Sequence, residues 1–160
     1  MNASDVLKYG HLWVHKHLDG LTETEWEAPG VCGVWSVKEI IAHLASFECT
    51  LVDVFNSFLH DGPTPKLDRY KTLSSDEFNA VEVGRRKNMS VDQVLTEYDD
   101  TQAQVMSLVS QIPPETLRQP GTIPWYGEEY ALDDFIVYAF YGHKREHCAQ
   151  IAVYRDRLGK

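Results

Sequence analysis

The chain has 160 residues, of which 43% are hydrophobic and 24% charged, so it is long enough to bury an ordinary core, and we expect residues 1–160 to form a single domain. Its 15 Lys and Arg residues against 24 Asp and Glu residues give a net charge of −9, which argues against nucleic acid and anionic membranes as partners, because both bind basic surfaces. No apolar run is long enough to span a bilayer, the first residues lack the pattern of a signal peptide, and the three cysteines are far apart, which together predict a reduced, cytoplasmic protein.

Four long amphipathic helices are predicted from apolar residues spaced three and four apart. The first runs from about Ser4 to Leu21. The second begins at the capping-box pattern Ser36-Val-Lys-Glu39 and ends at Asp61-Gly-Pro-Thr-Pro65. The third begins at a second capping box, Ser90-Val-Asp-Gln93, and ends near Gln111 before two prolines, and the last runs from about Leu132 to Leu158. This pattern predicts an all-α protein built as a four-helix bundle.

Two connections differ from simple turns. The connection from Asp61 to Ser90 is long for a helical hairpin, and we expect it to hold a short helix near residues 76–86. A link of that length can cross the whole bundle and leave the second and third helices parallel. The segment 118–130 is predicted to be a loop, and its aromatic residues Trp125 and Tyr126 are of the kind that cover the mouth of a pocket.

Two pairs of histidines have the spacing that places side chains one helical turn apart on one face, His11 with His15 and His143 with His147. The spacing alone does not distinguish them. His15 falls beside Lys16 on the solvent side of the first helix, so we interpret the first pair as partly exposed surface histidines.

The second pair continues the apolar face of the last helix, so both rings should point inward. Burying an unpartnered imidazole costs on the order of a kcal/mol or more, and either a metal ion or buried hydrogen bonds would compensate for it. His43 lies on the inward face of the second helix. Three histidine ligands with an open fourth position are typical of a catalytic metal site, whereas a structural zinc site is normally closed by four ligands.

Several residues near these histidines in sequence are candidates for supporting roles. Glu48 is a candidate fourth ligand, general base or partner to an imidazole N–H, or else a solvated acid. Gln150 and Glu146 are further candidate partners of the rings, with Glu146 expected to be exposed. Cys49 and Cys148 point about 100° away from the neighbouring site residues and are interpreted as packing residues.

The segment Trp35-Ser-Val-Lys-Glu-Ile-Ile-Ala-His43-Leu, followed about 100 residues later by His143-xxx-His147-xx-Gln150-Ile, resembles the DinB/YfiT-like superfamily of metalloenzymes. The resemblance implies a four-helix bundle with a crossover connection between helices two and three. It also implies a divalent metal ion, nickel or zinc, held by His43, His143 and His147. Some members of this family are isomerases or S-transferases that use a low-molecular-weight thiol such as mycothiol or bacillithiol, and others are metal-dependent hydrolases.

Two functions remain open at this stage. In the first, the protein is an enzyme whose metal activates water or a thiol, with Glu48 taking a proton and Trp35, Trp125 and Tyr126 shaping a pocket for a small-molecule substrate. Lys144 and Arg145 flank the site in sequence, but their helical phase directs them away from it, so a polar thiol has no clear anchor. In the second, the protein is a non-catalytic, metal-stabilised bundle that binds a small molecule or a protein partner. An apolar groove on an open face would also allow a homodimer.

Overall fold

Residues 2–160 are described by a computed structural model, and they form helices joined by turns and irregular segments, with no strand among them. The chain is therefore all-helical, as predicted. In chain order the elements are α1 (Ala3–Leu18), α2 (Glu23–Glu27), α3 (Val37–Leu59), α4 (Pro65–Thr72), α5 (Ser75–Arg85), α6 (Val91–Val109), α7 (Pro114–Arg118), α8 (Leu132–Phe135), a π-helical segment (Ile136–Gly142) and α9 (His143–Leu158).

The four predicted long helices are α1, α3, α6 and the continuous run formed by α8, the π-helical segment and α9. The short helix expected near residues 76–86 is α5, and residues 119–131 are irregular, as expected of the predicted loop. α4 was not predicted. The Asp61–Pro65 turn ends α3, but Pro65 also begins α4, because proline fits the first position of a helix, where its missing N–H is not needed. Among residues 2–160, no helix combines the length and apolar character needed to cross a membrane.

Both predicted capping boxes are present, and they fix where α3 and α6 begin. The backbone N–H of Glu39 donates to the Ser36 hydroxyl at 3.2 Å, and the backbone N–H of Ser36 donates to the Glu39 carboxylate at 2.9 Å. Ser90 and Gln93 make the same exchange at the start of α6. The start of α3 determines the phase of every later residue in that helix, including His43.

Two apolar clusters fill the interior, and α1, α3, α6 and the last helical run each contribute to both. The first cluster includes Val14, Ile40, Val94 and Ile151. The second includes Leu7, Phe55, Val105 and Phe140. Along α3, α6 and the last run, buried polar residues separate the two groups of apolar residues: Glu48 and Thr50, Thr101 and Gln102, and Lys144 and His147.

Glu48, Gln102 and Lys144 form a buried polar network at this level of the fold. The ammonium of Lys144 lies 2.5 Å from the Glu48 carboxylate and 3.4 Å from the Gln102 side-chain oxygen. Gln102 in turn donates to the backbone carbonyl of Leu7 on α1 at 3.4 Å. The interpretation of Glu48 as a solvated acid is wrong, because its side chain is completely buried. Lys144 does point away from the three histidines, but into the interior rather than to solvent.

We expect Lys144→Met to lower the free energy of unfolding by about 3–5 kcal/mol, because it leaves the Glu48 carboxylate buried without a cation. Adding Glu48→Leu to that variant should restore most of the loss, since two apolar side chains of similar size replace the pair. Urea denaturation of the two single variants and the double variant measures this, with Lys8→Met on the exposed side of α1 as the control. A single variant as stable as the parent would show that the pair contributes nothing.

Candidate metal centre

Three histidine side chains from two helices converge at the start of α9. His43 comes from the first half of α3, His143 is the first residue of α9, and His147 lies one turn later. The Nε2 atom of His143 lies 2.9 Å from the Nε2 atoms of both His43 and His147. The three predicted ligands are thus brought together, and together they form a group that could hold a metal ion.

The hydrogen bonds on the far side of two rings fix where their protons lie. Nδ1 of His147 is 2.8 Å from the side-chain oxygen of Gln150, which accepts only, so Nδ1 carries the proton. Burial lowers the pKa of the His143 ring, whereas interaction with the backbone of Ala139 raises it. Because Nε2 of His143 faces the other two rings, this interaction favours a proton on Nδ1. Both rings therefore direct the unprotonated Nε2 atom, with its lone pair, toward the centre of the group.

The group is unfavourable without a cation. Burial lowers the pKa of all three rings, and neighbouring histidines lower those of His43 and His143 further, that of His143 to about 4. Neutral rings with protons on Nδ1 place two nitrogen lone pairs 2.9 Å apart at His143 and His147. A bound cation converts this repulsion into two ligand bonds, so the donor set fits a divalent metal ion, for which imidazole nitrogen is a common ligand.

Two cavities open onto the three histidines, and His43 and His143 line both. The aromatic cavity has a volume of about 510 Å³, and Trp125 and Tyr126 contribute to its wall. The second cavity measures about 460 Å³ and is lined by Trp35, which also stacks near His43 with 5.0 Å between ring centroids. The three aromatic residues expected to shape a pocket therefore lie beside the histidines, on two different sides of them.

A comparison with models of known protein families identifies the family of the chain. The family model described as the DinB superfamily matches residues 14–151. The chain belongs to the DinB superfamily. Comparisons with curated proteins and with solved structures gave no match. The DinB match contains His43, His143 and His147 together with most of the residues that surround them, whereas His11 lies before it.

A second group of metal-capable side chains in this DinB protein consists of His11, His15 and Asp99. One Asp99 oxygen lies 2.7 Å from Nε2 of His15 and 3.2 Å from Nε2 of His11. As predicted, both histidines are partly exposed. His15 makes a hydrogen bond to this carboxylate, and Nε2 of His11 also faces it, whereas Nδ1 of His11 is buried without a hydrogen-bond partner. The contact with Asp99 was not predicted, because it depends on how α1 and α6 pack.

The remaining predicted residues fall outside the three-histidine group. Glu48 lines neither cavity and pairs with Lys144. Glu146 is exposed at the rim of the second cavity, as expected. Cys49 and Cys148 are buried and unpaired, which fits packing residues. Phe47, one turn after His43 on the same face, was not predicted to belong to the site. Neither were Tyr70, on the unexpected α4, and Phe78, whose place beside the histidines depends on how α5 packs.

Gln150→Leu should weaken metal binding by roughly 10–100-fold while leaving the fold intact, because it removes the acceptor that keeps the proton on Nδ1 of His147. Competition against a chromophoric chelator measures the affinity for zinc or nickel. Gln104→Leu, at an exposed position of α6, serves as the matched control and should bind the metal like the parent. Equal affinities for the two variants would mean that Gln150 does not orient the ring.

Proposed function

We propose that this DinB protein is a metal-dependent enzyme acting on a small molecule, with a divalent nickel or zinc ion held by His43, His143 and His147. The observation that carries the proposal is the convergence of three Nε2 atoms at a point that two cavities reach. When bound there, the metal would lower the pKa of a water molecule or a thiol at its open position and so supply a nucleophile near neutral pH.

The protein residues hold and orient the groups of this centre. Gln150 and the Ala139 backbone keep the His147 and His143 rings in the orientation that presents Nε2. Trp35 and Phe47 contact the His43 ring, with ring centroids 5.0 and 4.9 Å away, which restricts its rotation. These contacts support a preformed site with three protein ligands rather than four, the pattern of catalytic zinc sites.

For Glu48 we propose a positioning role in place of proton transfer. Its carboxylate is fully buried and held by Lys144, the residue directly after His143. The pair ties the start of α9 to α3, and so keeps the two histidines of α9 opposite His43. A carboxylate that is already paired with a buried ammonium is a poor base, because protonating it would leave that ammonium uncompensated.

We also propose that residues 1–160 form one domain, a four-helix bundle with a crossover between α3 and α6. Both helices run from the first apolar cluster to the second, whereas α1 and the last helical run pass from the second to the first. This order supports parallel α3 and α6, and the connection that contains α4 and α5 is long enough to join them. The homodimer and the cytoplasmic location stay predictions.

The alternative is a non-catalytic bundle that the metal only stabilises. A purely structural zinc site is normally closed by four protein ligands, whereas three histidines converge here and two cavities reach His43 and His143. These openings favour the enzyme. A thiol co-substrate of low molecular weight remains part of the proposal as one of two nucleophiles, and water is the other.

Protein purified without a histidine tag should carry close to one divalent metal ion per chain, because three buried neutral imidazoles converge at one point. Elemental analysis measures the content, and added zinc or nickel should raise the melting temperature of the metal-free protein. His147→Ala should abolish both effects, whereas His15→Ala, from the second group of histidines, should retain them. Loss of the metal in both variants, or in neither, would contradict the assignment.

Metal-loaded protein should accelerate either hydrolysis of uncharged esters and amides or conjugation of a thiol to an electrophile. We would compare both reactions for metal-loaded parent, chelator-treated parent and metal-treated His147→Ala. Only the first should show turnover, since the other two lack the ion that activates the nucleophile. Turnover that persists in His147→Ala would have to arise elsewhere in the protein. If the parent binds the metal but catalyses neither hydrolysis nor thiol conjugation, the result would favour the non-catalytic bundle.

A further inference from the structure

The three-histidine centre lies at the junction of two cavities whose walls differ in chemistry. His43, His143 and Asn79 line both cavities. A molecule that occupies one cavity can therefore present a reacting group to the histidines while the other cavity stays accessible. The chemistry of the two walls then indicates what each side can accept.

Aromatic side chains in contact with one another form much of the wall of the aromatic cavity, and the first of them contacts the histidines. Phe47 lies 4.5 Å from His143 and 5.7 Å from Phe78 between ring centroids. Tyr70 contacts Phe78 at 5.6 Å and Trp125 at 6.3 Å. The contacts that Tyr70 and Phe78 make are edge-to-face, a favourable arrangement for aromatic pairs. We therefore expect these rings to hold one another in place and keep the shape of the cavity.

The aromatic cavity offers little to a charged ligand. Among the described residues that line it, Lys71 is the one Lys, Arg, Asp or Glu, and its ammonium lies 3.6 Å from the Asp68 carboxylate. Burial raises the pKa of the Tyr70 hydroxyl, and that of Tyr126 is also raised, so both phenols stay neutral. A volume of about 510 Å³ falls in the range of small-molecule sites. Polar atoms, including those of Ser75 and Asn79, make up more of its exposed wall than apolar atoms do, so a ligand there needs polar groups as well as rings.

The second cavity has the opposite character. Asp76 and Glu146 are among the described residues that line it, and none of those residues is Lys or Arg. In a chain of net charge −9, these two carboxylates make that side unfavourable for an anion. It suits water, or an uncharged or cationic co-reactant.

We propose that the substrate of this centre is an uncharged, ring-bearing molecule that also carries polar groups, and that it fills the aromatic cavity and places one polar reacting group at the histidines. This inference rests on the proposed metal centre. It selects among substrates by burial of apolar surface against Phe47, Tyr70, Phe78 and Trp125. It disfavours substrates that carry an anionic group on the body, because Lys71, which already faces Asp68, is the one Lys or Arg among the described residues that line the two cavities.

Hydroxamic acids test this selection, because the hydroxamate group binds the metal and the tail samples the cavity. Calorimetric titration of the zinc-loaded protein would compare acetohydroxamic acid, benzohydroxamic acid, octanohydroxamic acid and the half-hydroxamate of succinic acid. The two apolar tails should bind at least about tenfold more tightly than acetohydroxamic acid, as expected for burying a tail of this size. The anionic tail should bind no more tightly than acetohydroxamic acid.

Variants locate the effect in the aromatic cavity. Phe78→Ala should remove most of the gain from an apolar tail, measured as the ratio of its affinity to that of acetohydroxamic acid in the same variant. Because Phe78 is buried and its loss destabilises the fold, Trp125→Ala provides a second, more exposed test of the same wall. Trp13→Ala, on the exposed face of α1, is the matched control and should keep the full gain.

The outcomes separate this inference from the proposed function. Metal-dependent binding of acetohydroxamic acid with no gain from apolar tails, or with the anionic tail binding best, would overturn the substrate class and leave the metal centre standing. A gain that survives both wall variants would place the tail elsewhere and would also overturn it. Absence of binding by every hydroxamate to zinc-loaded protein would overturn the open metal centre and the substrate class together.

Discussion

The ion pair between Glu48 and Lys144 is the contact on which the arrangement of the long helices depends. It joins α3 to α9 in the interior, and through Gln102 and the Leu7 carbonyl it extends to α6 and α1. An apolar interior tolerates many small shifts of one helix along another, whereas a buried carboxylate and ammonium have one satisfactory position. The network therefore sets the helix register, and the two apolar clusters on either side of it supply most of the burial.

The three histidines depend on that register but differ from the ion pair in what satisfies them. Glu48 and Lys144 neutralise each other within the chain, and the Nε2 atoms of His11 and His15 both face the Asp99 carboxylate. The rings of His143 and His147 instead present two lone pairs to each other. This unmet electrostatic requirement distinguishes a binding site from an internal hydrogen-bond network, even though both contain histidines with the same spacing.

Periodicity and capping patterns predicted the all-helical fold and the inward direction of the three histidines, because both are local properties of a helix. The contacts between helices were not predictable in the same way. Lys144 directly follows His143, and its helical phase directs it away from the three histidines, as predicted. The sequence does not show that this direction leads to a second buried surface. Likewise, Asp99 reaches His11 and His15, and Phe78 reaches the aromatic cavity, only because the helices pack together. Pro65 was not predicted to begin a helix because a proline fits the end of a helix equally well.

The π-helical segment Ile136–Gly142 directly precedes His143 and holds seven residues at a wider winding than the α-helix on either side. Its length sets the angle at which α9 leaves it. An insertion or deletion of one residue there would rotate His143 and His147 together by about 100° around the helix axis and away from His43, while their spacing stayed the same. A chain can thus keep the two-histidine pattern and lose the centre, so the number of residues between Leu132 and His143 belongs to the signature of the site as much as the histidines do.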